Sequence, residues 1–152
     1  MGFTLYILML ALWVGGMTIF TIVITPIIFK AFSRDMASSI VDKLFPLYFP
    51  YNLAISLLTL AFFLLSGLQK NAGSKISFAL IIIANVINIF ITFKLFPAIK
   101  KVKQDIVSFE HTAPDSPGRK QFRRIHVASI VLNILLLAGG TALIFLIPFL
   151  KR

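Results

Sequence analysis

The chain has 152 residues, of which 59% are hydrophobic and only 13% charged, with a mean hydropathy of +0.96. A soluble domain carries about 25% charged residues, so the composition excludes an ordinary soluble globule and points to a polytopic membrane protein. The net charge of +10 is carried by basic residues flanking apolar runs, as the positive-inside rule requires, so no nucleic-acid partner is expected; the absence of Cys excludes disulfides and thiolate sites.

The expected fold is an all-α membrane protein. One integral membrane domain over 1–152 forms a four-transmembrane-helix antiparallel bundle with short amphipathic cytoplasmic segments. The helices are expected at about 3–29, 44–69, 76–99 and 119–150, each near or above the ~20 residues that span a bilayer.

The first run, Phe3 to Phe29, lacks a basic segment before it and is too long for a signal-peptide core, so it reads as a retained helix. Ala11, Gly15, Thr18 and Thr25 share one face, where small residues permit close helix approach. Trp13 lies inside the run and is expected to pack. Pro26 kinks the helix or marks its exit. Ser33 to Lys43 reads either as a short amphipathic surface segment or as a tight polar loop.

The second run opens with Leu44-Phe45-Pro46-Leu47-Tyr48-Phe49-Pro50-Tyr51. Two prolines and two tyrosines predict a broken start at the interface, with the continuous helix beginning nearer Pro50. Its polar seam is Asn52, Ser56, Thr59, Phe63 and Ser66. After a tight link from Lys70 to Lys75, the third run carries the seam Ile81, Asn85, Asn88, Thr92. Two Asn one turn apart inside an apolar span are expected to face other helices. Lys94 sits close enough to the end to snorkel. The same rhythm continues through Ile99, Val102, Ile106 and Phe109 as a basic amphipathic extension, and 111–118 is a loop by its Pro, Gly and Ser content.

The last helix shows Arg119, Phe122, His126, Ser129, Asn133, Leu136 and Gly140 at the alternating 3–4 step of one helix face. Backbone needs do not explain a polar seam, because a helix satisfies its own N–H and C=O groups. Arg119, His126, Ser129 and Asn133, with Asn85 and Asn88 opposite, are therefore the candidate ligand-binding residues. His126 is alternatively an axial haem b or metal ligand, with the loop residue His111 as the remaining histidine. Met9 and Met17 are expected to pack rather than hold copper.

Lys100, Lys101, Lys103, Arg123 and Arg124 are candidate contacts for lipid headgroups, against the simpler reading of topology signals. The two long gaps hold ten basic residues against four on the other side. The long gaps are therefore expected in the cytoplasm of a cell that carries the chain in its inner or plasma membrane, with both termini outside. There is no intramembrane carboxylate, nucleophile–base pair or Gly-rich phosphate loop, so a non-enzymatic role is expected, without a resident cofactor. A small-solute transporter is a further alternative. Membrane lipids are the expected partners, and a homo-oligomer is open through the small-residue pairs Ala11/Gly15 and Ala138/Ala142.

Three segments carry a family likeness: Trp13-Val14-Gly15-Gly16, Leu44-Phe45-Pro46-Leu47-Tyr48-Phe49, and Arg119-x-x-Phe122-x-x-x-His126-x-x-Ser129-x-x-x-Asn133. Over nearly its whole length the chain resembles the transmembrane protein 205-like family. That resemblance implies four transmembrane helices and no established enzyme activity. The Trp-x-Gly-Gly segment alone is also similar to copper-resistance-D type membrane proteins, which implies histidine ligation of metal or haem as the runner-up.

Overall fold

In the computed structural model, residues 1–68 and 71–150 are described. The basic residues Lys70, Lys151 and Arg152, counted above for orientation, lie outside the described residues, as does the expected end of the second helix at 69. Four helices carry the chain: α1 (Gly2–Ala31), α2 (Arg34–Leu64), α3 (Ala72–Gln104) and α4 (Pro117–Phe149). Each has 30 to 33 residues. At 1.5 Å per residue this is about 45–50 Å, more than the ~30 Å hydrocarbon core of a bilayer.

The helices alternate in direction. A Cβ at Gly2 would fall 2.5 Å from the carbonyl oxygen of Leu65, so the start of α1 lies against the end of α2. A Cβ at Gly73 would fall 3.0 Å from the Phe149 carbonyl oxygen, and Asn71 Nδ2 donates to that oxygen at 3.1 Å. The start of α3 thus meets the end of α4. Gly67, with φ +63°, adopts the left-handed conformation that turns the chain out of α2. The two-residue link between α1 and α2 and the long loop over 105–116 therefore lie at the opposite, basic end.

The surface is inverted relative to a soluble protein. Ile22, Ile83, Val86, Leu135 and Phe145 are among many large apolar side chains exposed on the outside, while Asn52, Ser56, Thr59, Ser77, Asn85, Asn88 and Ser129 are buried. An exposed apolar surface of this extent would drive association in water and is matched by lipid. The chain is an all-α, four-helix, multi-pass membrane protein.

Three of the seams face inward as their spacing predicts, with Asn52, Ser56 and Thr59 on α2, Ile81, Asn85 and Asn88 on α3, and Ser129, Leu136 and Gly140 on α4 all buried. On α1 the expectation is overturned. Its inward face is Tyr6, Leu10, Trp13 and Met17, whereas Ala11 is exposed and a Cβ on Gly15 would meet nothing within 4 Å. The large side chains fill the space between four helices, and the small residues are left outside. Close approach comes instead at Gly140, where a Cβ would fall 2.7 Å from Val14 Cγ2.

The broken start of the second helix is also overturned. α2 runs without interruption from Arg34, capped by the Ser33 hydroxyl accepting from Met36 N, through Pro46 and Pro50. The two prolines lie one turn apart on the exposed face. Their missing N–H groups fall on one side only, and Tyr48 and Phe49 pack on the other. Tyr48 is accordingly a core residue, stacked on Phe20 with ring centroids 3.9 Å apart, and not an interfacial anchor.

Sequence reading did not foresee two π-helical turns, Ile19–Ile24 in α1 and Ile91–Leu95 in α3. Each ends two residues before a proline, Pro26 and Pro97. A wider turn relieves the clash between the proline ring and the preceding turn, so the helix continues past the proline. The Phe20 carbonyl accepts both the Thr25 backbone N–H across this wider turn and Thr25 Oγ1 at 2.9 Å. Beyond the first π turn, Ile28 packs with Ala37 and Val41 of α2 in a cluster separate from the main core.

Candidate ligand cavity at the basic end

The candidate polar residues do not form one site. They divide between a hydrogen-bonded knot in the bundle core and a cavity at the basic end.

The knot joins α2 to α3. Ser56 Oγ lies 3.1 Å from Asn85 Oδ1 and accepts from Asn88 Nδ2 at 3.1 Å, while Asn85 Nδ2 donates to the Ser56 carbonyl at 3.2 Å. The hydroxyl has one proton, shared between Asn85 Oδ1 and the Leu53 carbonyl at 3.0 Å. All three side chains are buried. Among the described residues, the interhelical hydrogen bonds of Asn85 and Asn88 go to Ser56 of α2. On α4, Asn133 Nδ2 donates back to the Ser129 carbonyl at 2.9 Å, and its Oδ1 is 3.5 Å from the Tyr48 hydroxyl. That last distance is at the limit for a hydrogen bond.

The cavity has a volume of about 600 Å³ and is lined by all four helices, well within the range of small-molecule sites. It lies in the gap between the main core and the Ile28–Ala37–Val41 cluster, where Val41 and Phe45 form one wall and Phe96 and Ile99 another. Of the expected site residues, Arg119, His126, Lys100 and Lys103 line it; Ser129, Asn133, Asn85, Asn88, Lys101, Arg123, Arg124 and His111 do not.

His126 stacks on Phe122 with an interplanar angle of 11° and ring centroids 5.4 Å apart. Its ring nitrogens have no hydrogen-bond partner among the described residues, and it faces the cavity. His111 is exposed on the loop over 105–116 and contributes only its backbone N–H, donated to Ser108 Oγ at 3.0 Å. The two histidines therefore do not converge on one ligand site. Among the described residues, no three His, Asp or Glu side chains gather as metal ligands.

The loop over 105–116 is built onto the mouth of the cavity. Asp35 Oδ2 accepts from Ser108 Oγ at 2.6 Å, Asp35 Oδ1 accepts from Phe109 N, and the backbone N–H of Arg34 donates to Glu110 Oε1 at 3.0 Å. Arg119 Nη1 donates to the carbonyls of Phe109 at 2.9 Å and Thr112 at 2.7 Å. Phe109 in turn packs edge-on against Phe122, with centroids 5.0 Å apart.

Lys103, one of the candidate headgroup contacts, pairs with Asp42 and donates to the Ser38 carbonyl at 3.0 Å. Lys100 is exposed, as are Lys101, Arg123 and Arg124, and has no protein partner among the described residues. Ser38, Asp42, Phe45, Phe96 and Phe109 are wall residues that sequence reading missed. Phe45 and Phe96 share a signal, a Phe-Pro step at Phe45-Pro46 and Phe96-Pro97, which Ser38, Asp42 and Phe109 lack.

A family model described as a domain of unknown function (DUF4149) matches residues 8–108. The chain belongs to that family. The matched segment holds the walls given by α1, α2 and α3 and ends within the loop, ahead of Arg119 and His126. Comparison with curated proteins gave no match, and comparison with solved structures gave none.

Proposed function

We propose that this protein is a non-enzymatic membrane protein that holds a small ligand in the cavity at its basic end. The observation that carries this reading is the cavity itself. It lies where all four helices meet, and His126 turns an unpartnered imidazole into it. His126 is half-buried, and a ligand that accepts from it or donates to it supplies the partner that the protein does not.

Both π turns end close to residues of the cavity wall, Phe29 and Phe96, and such turns recur at functional sites. The remaining assignments rest on charge and on exposure. The basic end is cytoplasmic and the termini outside, in the inner or plasma membrane, by the bias of basic residues. Membrane lipids are the immediate partners, and Lys101, Arg123 and Arg124 meet their headgroups. The outward position of Ala11 and Gly15 leaves that face to a second copy of the chain. No cofactor is needed for this role. Within the wider family, the transmembrane protein 205-like relationship rests on the Leu-Phe-Pro-x-Tyr-Phe and Arg-x-x-Phe-x-x-x-His segments.

The test is extraction and mass spectrometry of the mildly purified protein, alongside a Ser38→Trp variant that fills the cavity. A small molecule that co-purifies with the native chain and is lost from the variant supports the reading. Equal content in both overturns it. A visible absorption spectrum of the same sample decides the haem alternative: a stoichiometric Soret band abolished by His126→Ala would replace the present reading.

A further inference from the structure

The walls of the cavity are graded in the same direction on three helices. On α2 the outer residue is Arg34 and the inner one Phe45; on α3 the outer pair is Lys100 and Lys103 and the inner residue Phe96; on α4 Arg119 is outer, with Phe122 and then His126 further in. At 1.5 Å per residue, the charged and aromatic levels are separated by about 4–16 Å along the helices. Four cationic side chains face one carboxylate, Asp42, which Lys103 already neutralises. Asp35 and Glu110, at the mouth, are engaged by the loop and by the Arg34 N–H, so among the described residues no carboxylate pairs with Lys100 or Arg119.

The two outer cations nearest the apolar walls remain available. Lys100 has no partner among the described residues, and Arg119 uses only Nη1 on the loop carbonyls, leaving its Nε and Nη2 donors. A guanidinium offers a planar fork to carboxylate or phosphate oxygens, and an ammonium a point charge beside it. Below them the wall is aromatic and aliphatic, with nothing charged.

We propose that the cavity binds an anionic amphiphile, its single carboxylate or phosphate head held between Lys100 and Arg119 and its apolar chain lying along Phe45, Phe96 and Phe122. This assignment rests on the ligand-binding reading above and names the chemical class of its ligand. A neutral molecule would leave the cations without counter-charge, and a small free anion would leave the apolar walls uncovered.

The test uses the full chain, purified and delipidated in an uncharged maltoside detergent, with binding read by native mass spectrometry and titration calorimetry. The probes are oleate, oleoyl lysophosphatidate, uncharged monooleoylglycerol and inorganic phosphate. Oleate or lysophosphatidate, whichever source of anion the site prefers, is expected to bind. Lys100→Gln should weaken that binding about tenfold, the loss of one charge-assisted hydrogen bond. Arg123→Gln, an exposed change outside the cavity, should leave it unaltered. Monooleoylglycerol binding as tightly as oleate, or oleate indifferent to Lys100→Gln, overturns the anionic head. Inorganic phosphate competing as well as the lipid anion overturns the apolar chain. Each of these failures leaves the cavity reading standing, because that reading is overturned by a different result: a co-purified molecule retained in Ser38→Trp, or a Soret band abolished by His126→Ala.

Discussion

At the residue scale, Ser56 carries more than its size suggests. Its hydroxyl is the shared partner of Asn85 and Asn88, and removing it orphans buried groups on both amides. Ser56→Ala is expected to cost about 1–3 kcal/mol, read as a lowered unfolding temperature in detergent. Val131→Ala, on the exposed face of α4, should be close to neutral. Equal effects would show that the knot adds nothing to stability. Asn133→Leu should cost less than Ser56→Ala, because Asn133 bonds chiefly within its own helix. The seam spacing made Asn85 and Asn88 legible as interior residues. Their partner was not legible, since α2 and α4 offer seams of the same kind and only packing order decides between them.

At the element scale, the helices continue through features that read as breaks. Pro46 and Pro50 fall on the exposed face of α2, and Pro26 and Pro97 each follow a π turn. Local rules assign a proline its cost but not the direction in which it points, and direction decides whether the helix breaks. The contact between α1 and α4 depends on Gly140. Gly140→Leu is expected to force Val14 away and destabilise the bundle by about 1–3 kcal/mol, as overpacking does. Val14→Ala in the same chain should restore part of the loss in a thermal-unfolding assay. No recovery would place the strain elsewhere.

At the scale of the whole molecule, the short α1–α2 link, the loop over 105–116 and the charged mouth of the cavity share one end, and the described termini share the other. The absence of Cys makes orientation directly measurable. Leu65→Cys, at the end of α2, should react with a membrane-impermeant maleimide in intact cells, and Asp115→Cys, on the loop, only after permeabilisation. The reverse pattern would place the cavity mouth outside and remove the cytoplasmic assignment.

Hydropathy, helical spacing and the distribution of basic residues determined the number of spans, the inward faces of three of them and the basic end. These are properties of one helix at a time, each set by its own contact with lipid or with protein. Helix 1 escaped that reading because both of its faces are apolar, so Tyr6, Leu10, Trp13 and Met17 could be chosen only by the shape of the space they fill. The cavity escaped it for a related reason. Phe45, Asp42, Phe96, Lys103 and Phe122 lie on three different helices, and the pairing of Lys103 with Asp42 spans 61 residues. Only the tertiary structure decided which cations are neutralised within the protein and which, Lys100 and Arg119, are left facing an apolar space.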